Sequence, residues 1–176
     1  MAIVLQSPRV LVIPLTEALL ELQINDPAGL VGTLGYSIRL PDEASPELVY
    51  ALGKMACSVK QAPHLWPWNT NWAIISRQAQ AYIGGIDFHG APDATGQVEL
   101  GYGLDADYRH KGYMDEALRL MVGWAFSHPE VRVIKAETAL NNLPSQQVLQ
   151  RAGFCPVQVA GTNLWWQMDR LSCAGG

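Results

Sequence analysis

Leu104-Asp105-Ala106-Asp107-Tyr108-Arg109-His110-Lys111-Gly112-Tyr113-Met114-Asp115-Glu116 is the stretch on which the reading of this chain turns. It joins a β-rich run, residues 98–104, to a long amphipathic helix marked by Met114, Ala117, Leu118, Met121, Val122 and Ala125. Arg109, His110 and Lys111 stand consecutively at the start of that helix, in a chain with only 12 Lys and Arg. Free amide hydrogens and aligned peptide dipoles make a helix N-terminus positive, so basic residues are unfavourable there, whereas Asp115 and Glu116 agree with the field. A bound anion resolves the conflict. Amides around Gly112, the helix dipole and the side chains of Arg109 and Lys111 can converge on a phosphate, with Gly112 letting the backbone approach closely. A solvated basic turn is the alternative. The stretch is not a dinucleotide fingerprint, because Gly101-Tyr102-Gly103 lacks the third glycine, and Lys111 precedes its glycine, unlike a Gly-Lys-Ser/Thr loop.

The rest of the chain is placed around this segment. Residues 10–13 form a β-rich run ended by Pro14, and Thr16 offers an N-cap for a short helix at 17–23. Residues 25–45 are rich in Gly and Pro and read as a connecting stretch with some helix. Ser45-Pro46-Glu47 then supplies an N-cap, a first-turn proline and an acidic residue for a helix whose Leu48, Leu52, Met55 and Val59 share one face. Residues 62–69, punctuated by Pro63 and Pro67, are a loop, and strands at 72–76, 81–88 and 98–104 follow as an antiparallel meander. His128-Pro129 stops the long helix. Next come a strand at 131–138, a helix at 144–152 capped by Asn142 and closed by Gly153, and strands at 155–159 and 163–169. This order predicts one α/β domain, α+β in type, over residues 1–171, with a loose tail at 172–176. Its sheet is mixed, mostly antiparallel and six- to seven-stranded, with about four helices.

Composition narrows the function. The chain has 176 residues, 49% of them hydrophobic, which suits one domain with a substantial core. A net charge of −4 argues against nucleic acid and anionic lipid as partners, since both are recognised through clustered Lys and Arg. Cys57, Cys155 and Cys173 are too scattered for a disulfide framework, and the four histidines show no metal-ligand spacing, so a reducing compartment and no metal are expected. The apolar patch at 10–14 follows no basic cluster, and no apolar run reaches membrane-spanning length. A cytoplasmic monomer or homodimer acting on a small molecule or a short peptide segment is the expectation.

Three motifs in order carry a resemblance: Val98-Glu99-Leu100-Gly101-Tyr102-Gly103-Leu104, then Tyr108-Arg109-His110-Lys111-Gly112-Tyr113, then Asn142-Leu143-Pro144-Ser145 with Val148-Leu149 and Gly153-Phe154. Together they resemble the GCN5-related N-acetyltransferases, and most of all the branch that acetylates ribosomal-protein N-termini and related amines. The likeness covers residues 70–170, and the first 60 only in element order. It implies an acyl-CoA N-acyltransferase fold whose fourth and fifth strands part to admit the pantetheine arm. It implies acetyl transfer from acetyl-CoA to a primary amine (a protein N-terminus, a polyamine or a small-molecule amine) by direct attack in a ternary complex. In that pattern Arg109, His110, Lys111, Gly112, Tyr113 and Met114 wrap the pyrophosphate, and Leu104 offers backbone groups to the cofactor arm. Asn142 helps to hold CoA, and Ser145 lies near the thioester sulfur. Met114 departs from the usual Gly or Ala, so its side chain must turn away from the phosphate. Leu149 stands where many relatives place a tyrosine acid, which shifts attention to Ser145 or water. A non-catalytic CoA-binding or regulatory module on the same fold is the alternative.

A protonated amine cannot attack a thioester, so a carboxylate near its path is chemically useful. Glu99 is the leading base, with Glu137 and water in reserve, and alternation puts Val98, Leu100 and Tyr102 on the opposite face of its strand. Backbone amides at the opened strand edge can stabilise the tetrahedral oxyanion. Ser145 is placed to donate to the leaving thiolate. Trp66, Trp68 and Trp72, in and beside the Pro-rich loop, are candidates to line the acceptor pocket. His64, His89 and His128 stand singly at element ends and read as structural.

Overall fold

Val10, Leu11 and Val12 are consecutive and all buried, yet they point alternately into two different cores. Val10 and Val12 join Trp72, Ile74, Leu118 and Met121, whereas Leu11 joins Leu20, Leu52, Val59 and Ile75. Their strand is covered on both faces, which is why it reads as an unbroken apolar run instead of alternating. The computed structural model describes residues 3–35 and 46–170. The strands are β1 (Leu5–Gln6), β2 (Val10–Pro14), β3 (Asn71–Ser76), β4 (Ala81–Phe88), β5 (Gln97–Leu104), β6 (Val133–Ala139), β7 (Cys155–Ala160) and β8 (Asn163–Asp169). They form one sheet in the order β1-β2-β3-β4-β5-β6-β8-β7, in which only β5 and β6 pair in parallel.

The helices are α1 (Glu17–Asn25), α2 (Pro27–Leu34), α3 (Pro46–Gln61), α4 (Tyr113–Phe126) and α5 (Leu143–Ala152). Thr16 caps α1 by accepting from the Leu19 amide, and Asn142 caps α5 by accepting from the Ser145 amide at 3.2 Å. Gly153, at φ 97°, closes α5 while the Phe154 amide reaches back to the Leu149 carbonyl and its ring enters the core. Helices α1 to α3 pack on one face of the sheet and α4 and α5 on the other. No helix among the described residues is long and apolar enough to cross a membrane.

The mixed, mostly antiparallel sheet is as expected, but it holds eight strands and, among the described residues, five α-helices. The extra strand, β1, is two residues long and carries no readable pattern. The extra helix, α2, hides behind Gly29 and Gly32, although Asp26 caps it and Gly35 ends it at φ 70°. The loop at 62–69 is wound into a 3-10 turn, Pro63–Trp68. The Ser45 cap and the 172–176 tail lie outside the described residues.

Candidate active site

Strands β5 and β6 pair only over Gln97↔Val133, Val98↔Ile134, Glu99↔Lys135 and Leu100↔Ala136. Beyond this they separate: residues 101–104 stay with β4, and residues 137–139 stay with β8. A cavity of about 380 Å³ lies at this wedge on the side of α4 and α5. Tyr102 and Leu104 of β5 form one bank, and Asn142 and Ser145 at the start of α5 form the other. The Tyr102 hydroxyl bridges the banks, donating to the Ser145 carbonyl at 3.2 Å and lying 2.9 Å from Ser145 Oγ. Burial pushes the Tyr102 phenol up to about 12, so it keeps its proton at neutral pH. Leu149 is fully buried in the core, and the phenol bonded to Ser145 is that of Tyr102 on the opposite bank, a placement that the empty tyrosine position did not reveal.

The basic turn lines the other end of the same cavity through Arg109, His110, Gly112 and Tyr113. Gly112 caps α4 at φ 79°, a left-handed conformation natural to glycine, and no side chain caps this helix. The first-turn amides are therefore unclaimed by a side-chain cap, which is the arrangement an anion can use. The acids of that turn are already neutralised. Asp115 is held by Arg151 at 2.8 and 3.1 Å, and Glu116 by Arg9 and by the Ser7 hydroxyl. The positive field of the helix end thus reaches the cavity with little internal cancellation.

Individual residues of the turn differ in their use. Arg109 donates through Nε to the Leu104 carbonyl at 2.9 Å while lining the cavity. The Lys111 side chain is placed outside the cavity. Its Nζ donates to the Asp107 carbonyl at 2.7 Å, stacks 5.7 Å from the Tyr108 ring centre, and is not part of the cavity wall. Its carbonyl is bound by Arg9 Nη1 at 2.9 Å, so the residue serves the shape of the turn. Met114 is buried in the core cluster with Leu118 and Met121 and also borders the cavity.

Glu99 faces the other side of the sheet. Val98 and Leu100 are buried under α4 and α5, so alternation delivers Glu99 to the face shared in register by Lys135, Gln167, Glu137 and Trp165. A second cavity, of about 650 Å³, is lined there by Glu99, His89, Lys135, Trp165 and Gln167. Glu137 is engaged by Asn163, which donates to its Oε1 at 2.9 Å. The site also contains two residues that the sequence reading passed over. His89 Nδ1 lies 2.8 Å from Glu99 Oε1, and His89 Nε2 lies 3.7 Å from Asp87 Oδ2. His89 therefore is no isolated structural histidine; strand alternation from Asp87 to His89, opposite Glu99, was the available signal. Asp87 Oδ2 is buried without a hydrogen-bond partner, and burial pushes this carboxyl up to about 6.

The tryptophans are elsewhere. Trp72 is fully buried and donates to the Pro67 carbonyl at 2.7 Å, and Trp68 stacks on Trp124 and Phe88 at 4.4 and 5.0 Å. Both are core residues, correcting the acceptor-pocket expectation: their large apolar rings are more valuable packed than lining a wet cleft. Trp66 is half-buried against the cluster under α1 and α3 and lines neither cavity.

Residues 56–155, more than half of the chain, match the family model described as "Acetyltransferase (GNAT) domain". Among curated proteins, the chain is 36% identical over 84 residues to "Uncharacterized N-acetyltransferase YjdG" of Bacillus subtilis, covering 48% of this chain and 50% of that protein. It is 40% identical over 65 residues to "Probable N-acetyltransferase YjcK" of the same organism, covering 37% and 36%. The chain thus spans about half the length, or less, of these curated relatives. Among solved structures, a "putative ribosomal-protein-serine acetyltransferase from Vibrio cholerae" aligns with TM-score 0.66 at 17% identity, over 96% of this chain and 99% of that one. The RimL ribosomal L7/L12 acetyltransferase in complex with coenzyme A aligns with TM-score 0.67 at 14% identity, over 95% and 98%. These likenesses show a shared fold. With the parted strands, the uncapped helix start and the matched segment taken together, the chain belongs to the GNAT acetyltransferase family.

Proposed function

We propose that this chain moves the acetyl group of acetyl-CoA to a primary amine, the two reactants meeting at the wedge between β5 and β6 from opposite faces of the sheet. The supporting observation is the pair of cavities along β5, one where β5 and β6 part, ending on an uncapped helix N-terminus, and the other on the opposite face beside the still-paired Glu99 and Lys135. The helix-start amides, with Arg109 and His110, receive the pyrophosphate. Leu104 and Asn142 border the pantetheine path. Glu99, directly or through water, takes the proton that keeps the amine from attacking. The nitrogen lone pair then adds to the thioester carbonyl, and backbone amides at the freed edge of β5 stabilise the oxyanion. As the tetrahedral intermediate collapses, its C–S bond breaks, the departing CoA sulfur accepts a hydrogen bond from Ser145, which Tyr102 holds in place, and the second ammonium proton of the nitrogen ends on that sulfur, giving the amide and CoA thiol.

The acceptor class is a protein N-terminus, a polyamine or a small-molecule amine, and the structural likeness to RimL favours testing N-termini first. Thiol release from acetyl-CoA is to be followed with peptides bearing N-terminal Ser or Ala, with spermidine and with an aminoglycoside. Turnover with at least one is expected. Glu99→Gln should lower kcat by about 10²–10³-fold with unchanged CoA affinity. CoA binding without thiol release on any amine would instead make the chain a non-catalytic CoA module.

A further inference from the structure

Asp87, His89 and Glu99 form a cluster that the transfer scheme uses only in part. Asp87 lies near the end of β4, and His89 follows that strand directly. The His89 amide donates to the Glu99 carbonyl at 2.9 Å, so the backbone fixes the histidine opposite Glu99. Its imidazole then spans two carboxylates, with Nδ1 2.8 Å from Glu99 and Nε2 3.7 Å from Asp87. Gly101 makes room for it: a Cβ there would stand 3.0 Å from His89 Nε2. Exposure rises along the cluster, from 16% for the Asp87 side chain through 35% for Glu99 to 52% for His89. One end is dry and holds an orphaned carboxylate oxygen, and the middle group opens to water.

We propose that His89 relays the amine's proton from Glu99 to solvent and that Asp87 is the fixed counter-charge for the imidazolium formed on the way. The proposal rests on the reading of Glu99 as the base. The acceptor ammonium gives an N–H proton to a Glu99 carboxylate oxygen, which frees the nitrogen lone pair. That proton passes to His89 Nδ1 and restores the carboxylate, and the imidazolium releases its Nε2 proton to water. No electron changes hands. Asp87 touches no reactant in this scheme; it is a positioning residue acting through His89. The other titratable groups that face the cluster are Tyr82 on β4, Lys135 on β6 opposite Glu99, and Asp93 at the turn before β5. Backbone hydrogen bonding from Gln97 holds Asp93 below its ordinary value, so it stays ionised through the neutral range. Burial holds Tyr82 above its ordinary value, so it stays neutral there. Burial holds the Asp87 carboxyl up at about 6.

The test is thiol release from acetyl-CoA with the fastest amine of the panel above, measured for His89→Ala, Asp87→Asn, Glu99→Gln and the Glu99→Gln/His89→Ala pair. His89→Ala should lose about tenfold or more in kcat with the KM for acetyl-CoA unchanged, and added imidazole should restore the rate. Wild-type kcat should fall as pH drops through about 6, where Asp87 takes a proton, and Asp87→Asn should lose that limb. The double variant should be no slower than Glu99→Gln, which imidazole should not rescue. A His89→Ala enzyme that matches wild type, or whose loss ignores imidazole, overturns the relay while a slow Glu99→Gln leaves the base in place. A Glu99→Gln enzyme with wild-type turnover removes the base reading and the relay together.

Discussion

Replacing Asp87 by Asn should stabilise the protein at neutral pH and leave it unchanged in acid. The Asp87 side chain is only 16% exposed, and its Oδ2 is buried without a partner. Burial raises its pKa from 3.8 to about 6, with His89 opposing the rise and Glu99 adding to it. A carboxyl whose folded pKa lies above its unfolded one binds its proton more tightly in the folded chain. That contribution is fully present below pH 3.8 and is lost as pH rises through about 6. At higher pH the ionised carboxylate is a net cost of about 3 kcal/mol, taking about 1.4 kcal/mol per tenfold change in proton affinity. Asn keeps the shape and carries no charge at any pH. The variant should therefore gain up to about 3 kcal/mol at about pH 8, or roughly 6–12 °C in Tm for a chain of this size. The gain should shrink to nothing by about pH 3, where the carboxyl is protonated in both folded and unfolded chains. Thermal denaturation followed by circular dichroism across that range is the assay. An Asp87→Asn variant that is less stable at the alkaline end, or a gap that does not change with pH, would refute the reasoning. A more stable but slower enzyme would mark Asp87 as a position where stability is given up for activity.

Two further outcomes check other parts of the structure. Gly112→Val forces a branched side chain into φ 79° with its Cβ 3.0 Å from Arg9 Nη2, so CoA affinity in calorimetry should fall at least about tenfold while far-ultraviolet dichroism stays the same. Unchanged affinity would remove the anion assignment. Trp68→Ala strips the rings of Trp124 and Phe88 of their partner and should destabilise the fold by about 3–5 kcal/mol in denaturant titration. A shift in the acceptor KM with stability intact would return Trp68 to the acceptor pocket.

Most of the fold was legible because its elements carry local signals. Thr16, Asn142 and Gly153 mark helix ends by chemistry that acts within a turn, and each is found doing so. Alternation also placed Glu99 opposite Val98 and Leu100 without any tertiary knowledge. Long-range choices were not legible. Nothing local says that Trp68, in the Pro-rich loop, closes over Trp124 of α4. Aromatic residues in a loop look the same in sequence whether they cover a core or line a cleft. His89 was missed for a related reason: its partners are one residue on its own strand and one across the ladder, and pairing register is invisible until the sheet is built.

Arg9 has a bearing on how this molecule acquires its cleft. Its guanidinium grips the Lys111 carbonyl and Glu116, 102 and 107 residues along the chain, and stacks 5.2 Å from the Tyr113 ring centre. The turn at 109–112 thus has a distant strut, and closing a segment of that length costs on the order of 4 kcal/mol of chain entropy. Such a contact adds to the contact order of the fold. A ribosome releases the strut first and the turn it supports much later. A fragment holding the turn and α4 alone lacks the strut, so the proposed anion binding by this loop would read out completed folding, not a self-sufficient motif.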